Sequence, residues 1–391
     1  MDTIYLLIFL FSLIPFLSNF SIAVYTIIYH YYIYRHFIRT RFNPDFQPPC
    51  TIIVPVKGRS ARLKNNLTSF LKQQYPSYQV IFTVESHTDP AVTTIKQIID
   101  NFPKAKLTVA GLSTTCCQKN YNLIAAINTI KKTDILVFAD SDIKLAPNWL
   151  KEMILPLSDP KNTASTTWPI STSHSGSIGE LTHIFMNSYT YTAFIYAATL
   201  FKSSLLWGGS IAIRFSDFTK LKVVKTWSHL AVDDTSLSKI LKEGRHRTVT
   251  IPATICQSQG SLQTIPGAIN WYIRQIMYLK LYRRQIWLTI LFFNFLIYTF
   301  IYFWLPSTAF TNQPVYYFLI PIIYIFGEMY TAYLYLYLAN PKSSFRFVFL
   351  APLFKLFQYF SFARTFFSRT IYWGGITYTT DRQGKVNNIK R

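Results

Sequence analysis

The feature that most constrains this chain is its beginning: from Ile4 to Tyr34 the sequence is Leu-, Ile-, Phe- and Tyr-rich and has no Lys, Arg, Asp or Glu. A run of that length crosses a bilayer as a single helix. The basic cluster Arg35, Arg39 and Arg41 lies after the run, whereas a cleaved signal has a basic start and a small-residue cleavage site. The positive-inside rule therefore predicts a transmembrane helix over 1–35 and places the chain beyond it in the cytoplasm. Apolar sequence returns at Ile286–Leu305 and Val315–Ala339, joined by the uncharged turn Pro306–Pro314. It reads as a transmembrane hairpin over 286–339 whose loop faces away from the cytoplasm. Phe345–Ala363 contains Arg346 and Lys355 and precedes Arg364, Arg369, Arg382, Lys390 and Arg391. Spanning would carry that basic end to the wrong side, so 340–391 reads as an interfacial or re-entrant segment and basic tail.

Between Pro48 and Pro252 short β-rich runs alternate with polar, helix-like stretches, the pattern of an α/β domain with a mostly parallel sheet. Strands are predicted at Thr51–Val56, Gln79–Val84, Lys106–Val109, Asp134–Ala139, Ala164–Trp168 and Ser210–Ile213. Helices are predicted over Leu63–Gln73, Pro90–Phe102 and Lys119–Ile130, where apolar residues recur three and four apart. The domain is set at 48–260, with an interfacial helix over 261–285. Charged residues are only 14% of the chain, yet the formal net charge is +22. Such a balance suits an anionic membrane surface and a phosphate-bearing substrate. No helix–turn–helix, zinc-finger or basic-zipper pattern accompanies it, so nucleic acid is not expected as a partner. Cys50, Cys116, Cys117 and Cys256 include a vicinal pair and no CxxC spacing, which suggests reduced thiols and neither a disulfide framework nor a zinc site.

Three acidic groups stand out. Phe138-Ala139-Asp140-Ser141-Asp142 ends an apolar strand with two carboxylates one residue apart. Mg²⁺ or Mn²⁺ on a diphosphate needs such hard oxygen ligands, held rigidly, though Asp and Ser also favour a strand-ending turn. Glu85 and Asp89 come after the strand Gln79–Val84, at the carboxyl edge where open sheets bind ligands. They suit a nucleotide's base and ribose; alternatively, Asp89 caps the helix that begins at Pro90. Asp233-Asp234 sits amid apolar residues in a pattern that opens a helix. Mutual repulsion and burial would raise one carboxyl toward a general base, while a helix N-terminus would simply favour both charges. Trp207-Gly208-Gly209-Ser210 precedes a strand, and its glycines permit close backbone approach or a plain turn. Glu328 interrupts a predicted span, which points to a role, a polar partner or the membrane boundary.

Taken in order, Glu85/Asp89, Asp140-Ser141-Asp142, Asp233-Asp234 and Arg274-Gln275-Ile276-Met277-Tyr278 resemble the D, DxD, D and (Q/R)xxRW series of family 2-like glycosyltransferases, and most closely the ceramide glucosyltransferase family. Val54-Pro55-Val56-Lys57-Gly58, Gln118-Lys119-Asn120-Tyr121-Asn122-Leu123 and Tyr372-Trp373-Gly374-Gly375-Ile376-Thr377-Tyr378 extend the resemblance over nearly the whole chain. It implies a GT-A nucleotide-diphospho-sugar transferase domain, a Rossmann-like mostly parallel sheet, with transmembrane helices at both ends, and an inverting enzyme. By the same resemblance Glu85 and Asp89 would hold uridine, with Lys57 and Lys119 near the nucleotide. Asp140 and Asp142 would place the metal on the diphosphate. Asp234, beside Asp233, would deprotonate the acceptor, Arg274 would stabilise the departing diphosphate, and Trp207, Gly208, Gly209 and Tyr278 would border the acceptor. The sequence departs from the family where Met277-Tyr278 replaces Arg-Trp, with Lys280, Arg283 and Arg284 nearby as alternative cations or as headgroup anchors.

The expectation is transfer of glucose or a related hexose from a UDP-sugar to the hydroxyl of a membrane lipid, ceramide-like or other, by an integral membrane protein with a cytoplasmic catalytic domain. A processive polysaccharide synthase uses the same parts but needs a channel of more membrane helices. A non-catalytic nucleotide-binding membrane protein would have no need of all three acidic groups.

Overall fold

The computed structural model of the protein describes residues 17, 20–172, 177–199, 205–252, 256–259, 264–299, 322, 325–326, 329–330, 333–334 and 348–391. They divide into two units: an α/β unit drawn from His30–Ile170, Ala197–Gln259 and Arg369–Arg391, and a helical unit drawn from Met1–Tyr29, Ser171–Tyr196 and Gly260–Ser368.

In the α/β unit, β1 (Cys50–Pro55), β2 (Tyr78–Val84), β3 (Ala105–Val109) and β4 (Ile135–Ala139) lie side by side in parallel, with β1 between β2 and β4. β1 and β4 are buried along their whole length, which is why they read as unbroken apolar runs rather than alternating ones. Parallel neighbours need a crossover, and helices Leu63–Leu71, Ala91–Ile99 and Gln118–Ile127 supply it. After β5 (Ile143–Leu145), the chain adds β6 (Asn162–Thr167), β7 (Ile170–Thr172), β8 (Ser210–Arg214), β9 (Arg247–Ile251) and β10 (Cys256–Gln259). The large sheet has the order β3-β2-β1-β4-β8-β6-β9. Only β8 runs against its neighbours, pairing antiparallel with β4 and β6. The six predicted strands of this sheet are all present.

Beneath the sheet's centre Ile53, Phe138 and Ile211 pack with Trp227, Leu237 and Leu241. The Phe138 ring stands edge-on to Trp227, centroids 5.3 Å apart. A buried indole N–H needs an acceptor, and Trp227 Nε1 donates to the carbonyl of Asp233 at 3.0 Å. The apolar core thus fixes the start of the helix Asp234–Glu243.

Residues 370–390, expected as a basic tail, form a three-stranded antiparallel sheet of β11 (Thr370–Trp373), β12 (Ile376–Thr380) and β13 (Val386–Lys390) that belongs to the α/β unit. Trp373 pairs with Ile376 across a two-residue turn, and both turn residues, Gly374 and Gly375, have positive φ, +58° and +80°. That conformation matches the twist of a tight hairpin and favours glycine.

The helical unit contains helices Ile178–Thr199, Ile265–Tyr282, Arg284–Thr299 and Ala351–Phe367. Met186, Tyr272, Ile276, Trp287 and Phe362 form one core cluster, and the tilted rings of Phe185 and Phe354 pack with centroids 5.0 Å apart. Lys280 donates to the carbonyls of Thr365, Phe366 and Ser368 at 2.6, 2.9 and 2.7 Å, satisfying the open end of Ala351–Phe367. Its charge is employed as a helix cap. Among the described residues no helix is long and apolar enough to cross a membrane. Of the predicted spans, residues 4–16, 18–19, 300–305 and most of 315–339, Glu328 included, lie outside the described residues, while 286–299 belong to the described helix Arg284–Thr299.

Candidate active site

The carboxyl ends of β1, β2 and β4 share one edge of the sheet with the amino end of β8, because Pro55 pairs with Thr83, Ile53 with Phe138, and Ala139 with Ser210. The residues just beyond these ends are Lys57, Glu85, Asp140 and Gly209. The sheet topology therefore gathers residues far apart in sequence along one edge.

Lys119 stands at the centre. Its Nζ lies 2.8 Å from Asp140 Oδ1 and 3.0 Å from Asp233 Oδ2, with 13% of the side chain exposed. Burial alone would lower this ammonium, but the charges of Asp140, Asp233 and Asp234 outweigh it and hold the lysine well above its ordinary value. Asp234 Oδ2 accepts the backbone N–H of Gly208 at 2.7 Å, and its Oδ1 accepts from the N–H and hydroxyl of Thr235. Burial, then the neighbouring Asp233, pushes its carboxyl up to about 6, against the pull of Lys119 and the two amides. A carboxylate poised there accepts a proton near neutral pH.

Gly208 is required by space. A Cβ at this position would stand 2.7 Å from Asp233 Oδ2, 2.8 Å from Lys119 Nζ and 3.0 Å from Asp234 Oδ2. Lys119 and Asp233 are paired with each other and Asp234 Oδ2 is bonded to the N–H of Gly208 itself, so these atoms have little freedom to retreat. At Gly209 a Cβ would meet the Trp207 ring at 2.2 Å. Trp207 itself packs near Trp168, with centroids 5.7 Å apart, and its backbone N–H donates to Thr166 Oγ1.

A second group lies at the ends of β1 and β2. Lys57 Nζ pairs with Glu85 Oε2 at 2.9 Å. Asp89 Oδ1 accepts the N–H groups of both Gly58 and Ala91, at 2.9 and 2.8 Å. Asp89 therefore caps the helix Ala91–Ile99 and also fixes the loop that carries Lys57. One oxygen, Oδ1, accepts both bonds, so the capping reading of Asp89 is met.

Asp140 is half-buried and Asp142 exposed, in the turn between β4 and β5. Among the described residues no three His, Cys, Asp or Glu side chains converge as a metal cage. Two hard oxygen donors one residue apart still fit Mg²⁺ or Mn²⁺, which takes its other ligands from water and substrate phosphate. Arg274 and Tyr278 lie on Ile265–Tyr282 of the helical unit. There Arg274 stands near His183, whose imidazole is lowered to about 4, by burial first and the Arg274 charge second.

Several residues of the site carry no chemical signal in the sequence. Asn120 is fully buried and its Nδ2 donates to the carbonyls of Trp227 and Leu230 at 3.2 and 3.1 Å. It ties the Lys119 helix to the segment leading into Asp233. Tyr378 and Arg391, from the sheet at 370–390 and the residue after it, bond to Gln118. Gln118 and Tyr378 do lie in the segments that carry the family resemblance, but a tyrosine or a glutamine there signals nothing until the fold brings the two together. Cys50, Cys116 and Cys117 are buried free thiols.

Among solved structures the chain is similar to a mannosyltransferase from Pyrobaculum calidifontis in complex with GDP-Man and Mn²⁺, 14% identical, with a TM-score of 0.49 over 92% of this chain and 99% of that one. Among curated proteins it is similar to ceramide glucosyltransferase 1 of Caenorhabditis elegans, 27% identical over 37% of this chain and 31% of that protein. Ceramide glucosyltransferase 3 of the same organism is 30% identical over 31% of this chain and 26% of its own length. The matched stretches span less than a third of these relatives. The family model for glycosyl transferase family 21 matches residues 18–386, a range that takes in all the motifs resembling those of ceramide glucosyltransferases. The chain belongs to glycosyl transferase family 21.

Proposed function

We propose that this protein is an inverting glycosyltransferase that moves a hexose from a UDP-sugar to the hydroxyl of a membrane lipid, ceramide or another hydroxylated lipid. The observation that carries the reading is the cluster of Lys119, Asp140, Asp233, Asp234 and Gly208 at the ligand-binding edge of the sheet in a family 21 chain. It combines one raised carboxyl with a buried cation and a carboxylate at the DxD turn, as donor binding and proton removal both demand.

In this reading Glu85, Asp89 and Lys57 receive the uridine end of the donor, and Lys119 faces its phosphates. Asp140 and Asp142 would hold the divalent cation. When bound, that ion neutralises charge on the diphosphate. Asp234 takes the proton from the acceptor hydroxyl as its oxygen attacks the anomeric carbon opposite the leaving UDP, so the configuration inverts in one displacement. The Gly208 amide fixes the orientation of the Asp234 carboxylate for this transfer. Trp207, Gly208 and Gly209 border the acceptor. The family resemblance assigns Tyr278 to the acceptor and Arg274 to the departing diphosphate.

In this reading the acceptor lies in a bilayer, and the protein is membrane-integral with its α/β unit cytoplasmic. Supporting this, Leu288, Phe292 and Phe295 on one helix and Leu353, Phe360, Phe366 and Phe367 on another expose their side chains. An exposed apolar surface of that extent marks a membrane or partner face. The relatives named for ceramide support the lipid class.

The test is UDP release from UDP-glucose, UDP-galactose and UDP-N-acetylglucosamine in detergent, with and without Mn²⁺ or Mg²⁺, and with and without ceramide or other hydroxylated lipids. Release is expected to need the metal and to rise with the lipid. No release from any donor, or full activity in Asp234→Asn, overturns the reading.

A further inference from the structure

The sheet β11–β13 makes few core contacts. β11 and β13 are largely exposed, and Ile371, Ile376 and Tyr378 are its buried apolar residues. It nonetheless meets the rest of the unit at three places, by hydrogen bonds at two of them and by apolar contact at the third. The Tyr378 hydroxyl oxygen accepts the backbone N–H of Gln118 at 3.1 Å. Val386 N–H donates to the His229 carbonyl at 2.9 Å, and Ala231 N–H to the Gly384 carbonyl at 3.1 Å. Gly374 lies against Lys57, with its absent Cβ 3.4 Å from Cδ of that lysine. The first place immediately precedes Lys119, the second leads into Asp233, and the third is the other lysine of the site.

Gln118 is the link. It is buried, and its Oε1 accepts from the Ser113 N–H at 2.9 Å and from Arg391 Nη2 at 3.1 Å. Its Nε2 donates to the Gly111 carbonyl and to Asn122 Oδ1, both at 2.8 Å. Arg391 Nη2 also donates to the Ser113 carbonyl at 2.7 Å. With backbone N–H and both ends of its amide bonded, the residue has one position, and the place of Lys119 is set by it along the helix.

We propose that the sheet at 370–390 is a positioning element for the Lys119–Asp233 pair, with Tyr378 and Arg391 as positioning residues that act through Gln118. The inference deepens the proposed function and rests on its reading of Lys119 as a donor-site residue. A sheet that merely covered surface would be held by apolar contacts spread along its strands. Here the bonds meet at the residues flanking one ion pair. Removing the Tyr378 hydroxyl leaves a buried N–H without its acceptor, while the ring and its packing stay.

The test is competitive acylation of lysines in the full chain, read by peptide mass spectrometry, with UDP binding by calorimetry and thermal unfolding measured alongside. In the wild type Lys119 is labelled far less than the exposed Lys131 and Lys242. Tyr378→Phe and Arg391→Ala are expected to raise Lys119 labelling about tenfold relative to those two, because protection tracks the population of locally opened molecules. UDP binding weakens in the same variants, and Arg391→Lys restores most of the protection. Lys119 labelling within about twofold of wild type in both folded variants overturns the proposal. So does a uniform rise at all buried lysines with a lowered Tm, which marks global loosening. A selective rise in a protein that binds no UDP sinks the donor-site reading and leaves the positioning role standing.

Discussion

The charge arrangement turns on Asp234. Its carboxyl is raised to about 6 and acts as a base only when ionised, so kcat/KM should climb with unit slope below that pH and level off above it. Asp234→Asn should lower kcat roughly 10²–10⁴-fold, the usual worth of a general base. The same shift has a stability consequence of opposite sense. The folded-state value lies above the ordinary carboxylate value of 3.8, so the folded protein binds the proton more tightly. The contribution of Asp234 to stability is present below the unfolded value and lost as pH rises through the window up to about 6. Urea titrations across that window should show this component in the wild type and its absence in Asp234→Asn. Lys119 works in the other direction. Lys119→Met leaves Asp140, Asp233 and Asp234 facing one another with their shared cation gone, and should cost about 3 kcal/mol by urea unfolding at neutral pH, less as the pH falls and the carboxyls protonate.

At the scale of elements, the sequence makes legible what local pattern encodes. β1 and β4 are covered on both faces, so burial leaves an apolar run that is visible without any partner. Glu85 and the Asp140–Asp142 turn are legible because they come directly after the apolar strands β2 and β4, whereas Asp233-Asp234 follows no strand and stands out only by its apolar surroundings. The helix Ile178–Thr199 is not, since Leu181 to Met186 are all buried and no polar face gives it a helical period. The sheet at 370–390 escapes for the opposite reason: its outer strands are mostly exposed, and basic residues there resemble a solvated tail. Its strongest local signal is Gly374-Gly375, a pair that demands a turn between two strands. Gly375 tests that assignment cleanly. It has φ +80° and open space around its missing Cβ, so a side chain there meets strain but no clash. Gly375→Val should cost roughly 1–2 kcal/mol in denaturant unfolding. Loss of UDP binding should accompany it only to the extent that the hairpin's seating against Lys57 is disturbed.

On the scale of the whole molecule the two units differ in what they show to solvent. Beyond residue 38, the large apolar side chains exposed on the described α/β unit are Leu112 and Tyr372. The helical unit exposes Phe367 at 87%, Phe349 at 66%, Phe292 at 59% and Phe360 at 59%, among others. Covering each such ring is worth roughly 1.5–3 kcal/mol, so this surface has a strong driving force to leave water. A bilayer and a protein partner would both satisfy it. The formal net charge of +22 favours an anionic bilayer, since basic residues beside apolar surface gain from headgroup phosphates as the rings enter the acyl region. Photolysis of a lipid-soluble diazirine in vesicles carrying the full chain separates the two covers. Label is expected on peptides from Arg284–Thr299 and Ala351–Phe367, and not on peptides bearing β1 to β4. A partner protein on that face would shield those helices from the reagent, and label confined to other peptides would rule out the bilayer as the cover. Phe292→Ser with Phe295→Ser should shift the label off the first helix while leaving Asp234-dependent UDP release in detergent intact, because those rings lie on the helical unit and take no part in the donor cluster.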